Sequence, residues 1–267
     1  MSLSLNKTIW LLWLQGWEHA FWLNKQVAES WQIHNPKWKI EYVTLENLSN
    51  YVKDIDYIYD SNKYISPQAK SDIIRLSLLK NHGGVWADAT MLCLQSLDHW
   101  IEEAVGPSGL WMYHGNGANM DSKIGPASWF IVSLKEGYMI TKWKEQCDIY
   151  WNQNNYTENY SWMDYLFRDL FEKDALFQEL WMKCPYIYCE EDGQSHCLAP
   201  YNRGFERNNQ NIKDLFLHKP PYALKLWTRP WMDKFPDIES EECKTSNGYF
   251  AIQMSKRIRH VYKHPMK

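Results

Sequence analysis

Long apolar runs are missing from the start of this chain: the longest stretch there, Ile9 to Leu14, has only the length of a strand, whereas a membrane-spanning helix needs about 20 apolar residues. No charged leader with a long apolar run precedes it, so no secretory signal is expected. The six cysteines, Cys93, Cys147, Cys184, Cys189, Cys197 and Cys243, form no C-x2-C pair. A structural zinc site is therefore unsupported, and reduced thiols in a cytosolic protein are the simplest reading. An excess of one charge is missing too, with 29 Lys and Arg against 32 Asp and Glu and a net charge of −3. That balance argues against nucleic acid as a partner. No repeat, low-complexity tract or linker divides the 267 residues, which suit one large domain with a full core. What is abundant is aromatic surface, with sixteen Trp and seventeen Tyr. Such rings suit half-apolar partners such as sugar faces, nucleobases and membrane interfaces, while most of the Trp are expected in the core.

The most informative segment runs from Ser71 to Thr90. Ser66 and Pro67 open a helix as N-cap and first helical residue, and Gly83-Gly84 closes it. Ala69, Ile73, Leu76 and Leu79 make one apolar stripe. At about 100° per residue Asp72 projects inside that stripe, with Arg75 at its edge. A carboxylate there costs several kcal/mol unless paired or bound, so Asp72 requires a polar partner. Either Arg75 is that partner in an ordinary ion pair, or both residues share a ligand. Val85-Trp86-Ala87 then reads as a buried strand ending in Asp88. In an open α/β sheet, ligands bind outside the carboxyl ends of strands, which sets Asp88 at a ligand crevice. The alternative is that Asp88 caps the next turn.

The rest of the pattern predicts an α/β sheet. Strands are expected at Thr8 to Leu14, Lys39 to Thr44, Leu110 to Tyr113 and Trp129 to Val132, and helices at Phe21 to His34, Leu45 to Val52 and Leu97 to Val105. Gly115 to Asn119 reads as a flexible loop able to act as a lid, and Tyr138 to Met182 as mostly helical. Residues 1–135 would form a half carrying the ligand crevice and 136–267 a mostly helical half.

The Ser-Asp-x-x-Arg helix leading into Gly-Gly-Val-Trp-Ala-Asp (Ser71 to Asp88) resembles glycosyltransferase family 32 and, more closely, its capsular polysaccharide synthesis relatives. The similarity is specific over about twenty residues, and it extends weakly to Ile9–Gly16, Glu29–Trp31, His34–Pro36, Gly125-Pro126, Trp129–Ile131 and Lys225–Trp227. It implies the GT-A fold, a Rossmann-like α/β arrangement with a mixed central sheet. It also implies retaining transfer of a sugar from a nucleotide diphosphate donor, usually with Mn²⁺ or Mg²⁺. Under that resemblance Trp13 stacks on a uracil-like base, Asp72 and Arg75 contact ribose, donor sugar or phosphate, and Lys225 contacts phosphate. Asp88 matches the first acid of the family's Asp-X-Asp metal motif. The second acid is replaced by Thr90, a poorer ligand for hard cations, and His218 is either the residue that completes the metal shell or a turn histidine beside Pro220 and Pro221. Asp164 and Asp169, acids in an aromatic helix, either touch acceptor or donor sugar or sit at solvated helix positions.

The implied enzyme adds a sugar, from a UDP-type donor, to a growing capsular or other surface polysaccharide or its lipid-linked precursor. Two other readings stay open: a noncatalytic sugar- or nucleotide-binding protein of the same fold, and a sugar-phosphate transferase. The tail from Ser255 to Lys267 carries Lys256, Arg257, Arg259, Lys263 and Lys267 and no acid, with Ile258, Val261 and Tyr262 interleaved. It is expected either to lie peripherally on an anionic membrane face or to be an ordinary solvated terminus.

Overall fold

The protein is seen as a computed structural model that describes residues 5–115, 120–121, 124–187, 210–259 and 261–263. The first strand, β1 (Thr8–Leu12), is followed by α1 (Trp22–His34), β2 (Lys39–Val43), α2 (Pro67–His82) and β3 (Gly84–Ala87). Next come β4 (Met91–Cys93), α3 (Ile101–Val105), β5 (Leu110–Gly115) and β6 (Gly125–Ser133). Helices α4 (Tyr138–Gln153), α5 (Trp162–Lys173), α6 (Ala175–Met182) and α7 (Gln210–His218) lead to β7 (Ala223–Lys225). The last three are α8 (Arg229–Lys234), α9 (Glu241–Lys244) and α10 (Asn247–Ser255).

A five-stranded sheet of order β2-β1-β3-β6-β5 forms the centre, and β4 and β7 make a separate two-stranded ribbon. β1 runs parallel to β2 and β3, whereas β6 is antiparallel to β3 and β5. The carboxyl ends of β1 and β3 therefore lie at one edge, and the reversal brings the first half of β6 to that same edge. The fold is thus α/β with a mixed sheet, as the element pattern predicts. The expected lid loop falls at residues 116–119, outside the described residues.

Differences from the pattern have local reasons. Leu45 to Val52 is not a helix: its only helical turn is the 3-10 turn at Leu48–Asn50, and Asn47 ties the segment back to Thr44 and Tyr42 through its side-chain amide. β6 extends well before Trp129, because it must pair with β3 along one stretch and with β5 along another. α2 is buried nearly all round rather than along one stripe, with Ile74, Arg75, Ser77 and Leu78 inside as well. It packs against β3 and β6 on one flank and α4 on another.

Gly83 and Gly84 show why two glycines join α2 to β3. Their φ values of +67° and +97° lie where side chains are disfavoured, and a Cβ on Gly84 would sit 2.5 Å from the Thr8 carbonyl oxygen. Gly84→Ala is expected to cost about 2–4 kcal/mol, from left-handed strain plus overpacking. A urea melt showing no loss would mean that this junction shifts freely.

Most tryptophans are core residues, Trp31, Trp86, Trp111, Trp143 and Trp151 among them. Cys93, Cys147, Cys184 and Cys243 are buried free thiols, and Cys189 and Cys197 lie outside the described residues. The C-terminal tail differs from a free basic arm. Ile258 is buried, Lys256 pairs with Glu29 at 3.0 Å, and the Tyr262 amide donates to Gln95 Oε1 at 2.8 Å. Of the three apolar side chains interleaved in the tail, Ile258 joins the core, whereas Val261 is exposed and Tyr262 half-buried. Among the described residues no helix is long and apolar enough to cross a membrane.

Candidate active site

At the carboxyl edge of the sheet lies a cavity of about 470 Å³, lined from β1, α2, β3, β6, the start of α5 and β7. A drug-sized or nucleotide-sized ligand fits a volume of this order. Trp13, immediately after β1, forms one wall. Its amide donates to Val43 and its ring lies 6.4 Å from that of Trp17, which in turn packs edge-on to Tyr42.

The floor is polar and buried. Arg75 is 6% exposed, yet it makes five polar or ring contacts. Nη1 donates to the Ser128 carbonyl at 2.6 Å, while Nη2 lies 3.1 Å from Asp72, 3.3 Å from Asp88 and 3.3 Å from Ser71 Oγ. Its guanidinium also lies 5.0 Å from the centre of the Trp86 ring. Asp72 thus has Arg75 as its partner, and also the indole N–H of Trp162, which donates to it at 3.1 Å. Because the shared partner lies in the cavity lining, the ion pair and the ligand-facing reading of Asp72 and Arg75 coincide in space.

Asp88 follows β3 and is fixed on both sides. Its amide donates to the Trp129 carbonyl, and its own carbonyl accepts from Met91 in a tight turn. Oδ1 accepts from the Trp86 indole at 2.9 Å, and Oδ2 from Lys225 Nζ at 2.6 Å. The pairing of β4 with β7 sets Lys225 opposite Met91 and so delivers it to Asp88 across 137 residues of sequence. Asn24 braces the loop after Asp88, donating to the Ala89 carbonyl and to Thr228 Oγ1.

Charge is distributed unevenly over this floor. Burial works to raise the Asp88 carboxyl, but Lys225 and Arg75 outweigh it and hold the group below the ordinary carboxylate range. Burial lifts Asp72 to about 7 against the pull of Arg75, and lifts Asp164 to about 6 against the Ser128 hydroxyl and Arg75. Burial would lower Arg75, but Asp88, Asp72 and Asp164 outweigh it. Near neutral pH the floor therefore holds Asp88 as an ionised carboxylate beside Arg75, while Asp72 and, less so, Asp164 keep part of their population protonated.

Trp13, Asp72, Arg75, Asp88 and Lys225 all line this one cavity. His218 does not line it; it is exposed at the end of α7. The resemblance places a divalent cation on Asp88 and His218, and the residues present do not fit one. Both Asp88 oxygens are engaged by cationic or indole donors, and position 90 offers only a buried hydroxyl. Among the described residues no three His, Cys, Asp or Glu side chains converge into a metal-binding group.

Two further residues belong here. Asp164 lines the cavity rather than a solvated helix face, because α5 begins at the cavity rim. Its position two residues after Trp162, whose indole holds Asp72, is the available sequence signal. Trp227 adopts φ +64°, one of only two non-glycine residues with positive φ among those described, and Lys225 Nζ lies 5.0 Å from its ring. Strain of that kind gathers where a site over-determines the backbone.

A family model described as capsular polysaccharide synthesis protein matches residues 2–226. The chain belongs to that family. Among curated proteins, this family member is 31% identical over 106 residues to a glycosyltransferase of Aspergillus fumigatus, covering 36% of this chain and 27% of the relative. It is 27% identical over 93 residues to an uncharacterized glycosyltransferase of Acanthamoeba polyphaga mimivirus, covering 34% of this chain and 37% of that one. The chain thus spans from about a quarter to just over a third of these relatives' lengths. Among solved structures it is similar to the PaToxG glycosyltransferase, with a TM-score of 0.42, 16% identity and coverage of 67% of this chain and 74% of that one. It is also similar to the galactosyltransferase LgtC, solved with donor and acceptor sugar analogs, at a TM-score of 0.44 and 13% identity over 96% of this chain and 98% of that one.

Proposed function

We propose that the cavity binds a nucleotide diphosphate sugar and that the protein, a glycosyltransferase of GT-A type, passes the sugar to a growing capsular or other surface polysaccharide or its lipid-linked precursor. The observation that carries this reading is the pair of buried cations, Arg75 and Lys225, converging on Asp88 at the floor of a cavity walled by Trp13. A leaving diphosphate needs preorganised positive charge in a site that excludes water, and a base needs a flat apolar surface. Family membership and the curated glycosyltransferase relatives point the same way. Retention at the anomeric carbon is the expectation that accompanies the resemblance.

In this mechanism the protein positions and polarises rather than supplying a nucleophile. The donor's diphosphate lies against Lys225 and Arg75, which would share their charge between Asp88 and the phosphates. Lys225, Arg75 and Trp86 keep Asp88 ionised, and Asp88 holds the two cations together. As charge builds on the leaving diphosphate, these fixed cations stabilise it without reorganising.

The test is a panel of nucleotide-sugars assayed for hydrolysis and for transfer to saccharide acceptors, with and without added Mn²⁺. Turnover of one donor to a nucleoside diphosphate supports the reading. Binding without turnover would favour a noncatalytic protein, and release of a nucleoside monophosphate a sugar-phosphate transferase. In the same assay Lys225→Met is expected to weaken UDP or GDP binding by about 1.5–3 kcal/mol, the worth of a charged hydrogen bond. Unchanged affinity by calorimetry would remove Lys225 from the phosphate site.

A further inference from the structure

We propose that Asp164 reads the donor's sugar: its carboxyl group hydrogen-bonds a hydroxyl of the transferred residue and so selects which nucleotide-sugar is used. This rests on the donor-site reading above and extends it to a residue outside the motif. Three observations meet on Asp164. It lines the cavity from the first turn of α5, across from α2. Its Oδ1 is shut off from solvent and has no hydrogen-bond partner, while the Ser128 hydroxyl donates to the group. It also lies close enough to Arg75 and Asp72 for its charge to act on both.

An unsatisfied carboxylate oxygen in such a place costs free energy until a ligand or a proton satisfies it. The diphosphate is not that ligand, because an anion beside a carboxylate is repelled, and the cations that suit it are at the Asp88 end. A neutral, hydroxyl-rich group linked to the diphosphate fits instead. Such a group offers donors to the carboxylate and acceptors to the acid form, and Asp72 faces it from the opposite helix with the same dual capacity. Carboxyl groups that stay partly protonated near neutral pH also spare the diphosphate a repulsion that ionised ones would impose. Sites that hydrogen-bond a substrate hydroxyl discriminate strongly, since an analogue lacking it leaves a buried group unpaired.

The experiment compares Asp164→Asn and Asp164→Ala with the wild type by calorimetry, using UDP, GDP, UDP-glucose, UDP-galactose and GDP-mannose. The wild type is expected to bind one nucleotide-sugar more tightly than its bare nucleotide. Both variants should lose about tenfold or more of that sugar-dependent affinity, while the bare nucleotide binds as before. Asp164→Ala should melt no lower than the wild type, because removing an orphaned carboxyl removes its cost. Equal losses for bare nucleotide and nucleotide-sugar would overturn the proposal in favour of a structural role, and no loss for either would show that Asp164 does not touch the sugar. Failure of the wild type to bind any nucleotide would instead bring down the donor-site reading itself.

Discussion

Asp88→Asn is expected to abolish sugar transfer and, in the same protein, to lower stability by about 3–5 kcal/mol. That is the cost of leaving a buried ionic group without its partner. As a strand-end acid Asp88 could simply look outward. In the structure it is only 23% exposed in its side chain and is the anion common to Lys225 and Arg75. Asparagine keeps the shape but leaves two cations facing each other. Urea unfolding of the variant, alone and with UDP or GDP, would check this. Added nucleoside diphosphate should recover part of the loss, because its phosphates replace the missing anion. A variant as stable as the wild type, or one that still turns over donor, would contradict the arrangement.

Arg75→Ala should damage the fold as much as Asp88→Asn. Arg75 partners Asp72, Asp88 and the Ser128 carbonyl at once, from a position almost closed to solvent. Its removal leaves the Ser128 carbonyl without this donor and two buried acids short of a cation, Asp72 with only the Trp162 indole and Asp88 with Lys225 and Trp86, so losses of about 3–5 kcal/mol are expected even after the acids protonate. That is comparable to the whole stability of many domains. Arg75→Lys should recover little, because one ammonium cannot reproduce the planar fork. Since Asp72 and Asp164 have pKa values raised above those of unfolded carboxyls, folding takes up protons between about pH 4 and 7. Their contribution to stability therefore falls as pH rises through that window, by up to about 1.4 kcal/mol per pH unit for each acid that titrates. A melt of Arg75→Ala that is no lower than wild type at pH 7 would sink this account of the floor.

The twenty residues from Ser71 to Thr90 made most of the floor legible, because an acid inside an apolar stripe and an acid at a strand end both demand partners. Their helix, glycine turn and strand are local, and local patterns survive in sequence. Lys225 was reachable only through resemblance, since a strand pairing 137 residues away leaves no local trace. Asp164 was left between sugar contact and solvent for a different reason. Its helix has a solvent face, and periodicity alone says which side is apolar, not that the first turn abuts a cavity. His218 failed in the opposite way: a histidine beside prolines is chemically suited to a metal, but exposure at the end of α7 keeps it off the cavity lining.

The ribbon that joins β4 to β7 also has a consequence for biosynthesis. The sheet and α2 are encoded early, so most of the pocket wall can assemble on local and mid-range contacts while the chain is still emerging. The cation that meets Asp88 comes only with Lys225, and closing so long a loop is entropically slow. Nascent or truncated chains lacking that residue would therefore hold Asp88 with Arg75 alone and leave the proposed diphosphate cradle unfinished, so competence arrives only after residue 225 has been made.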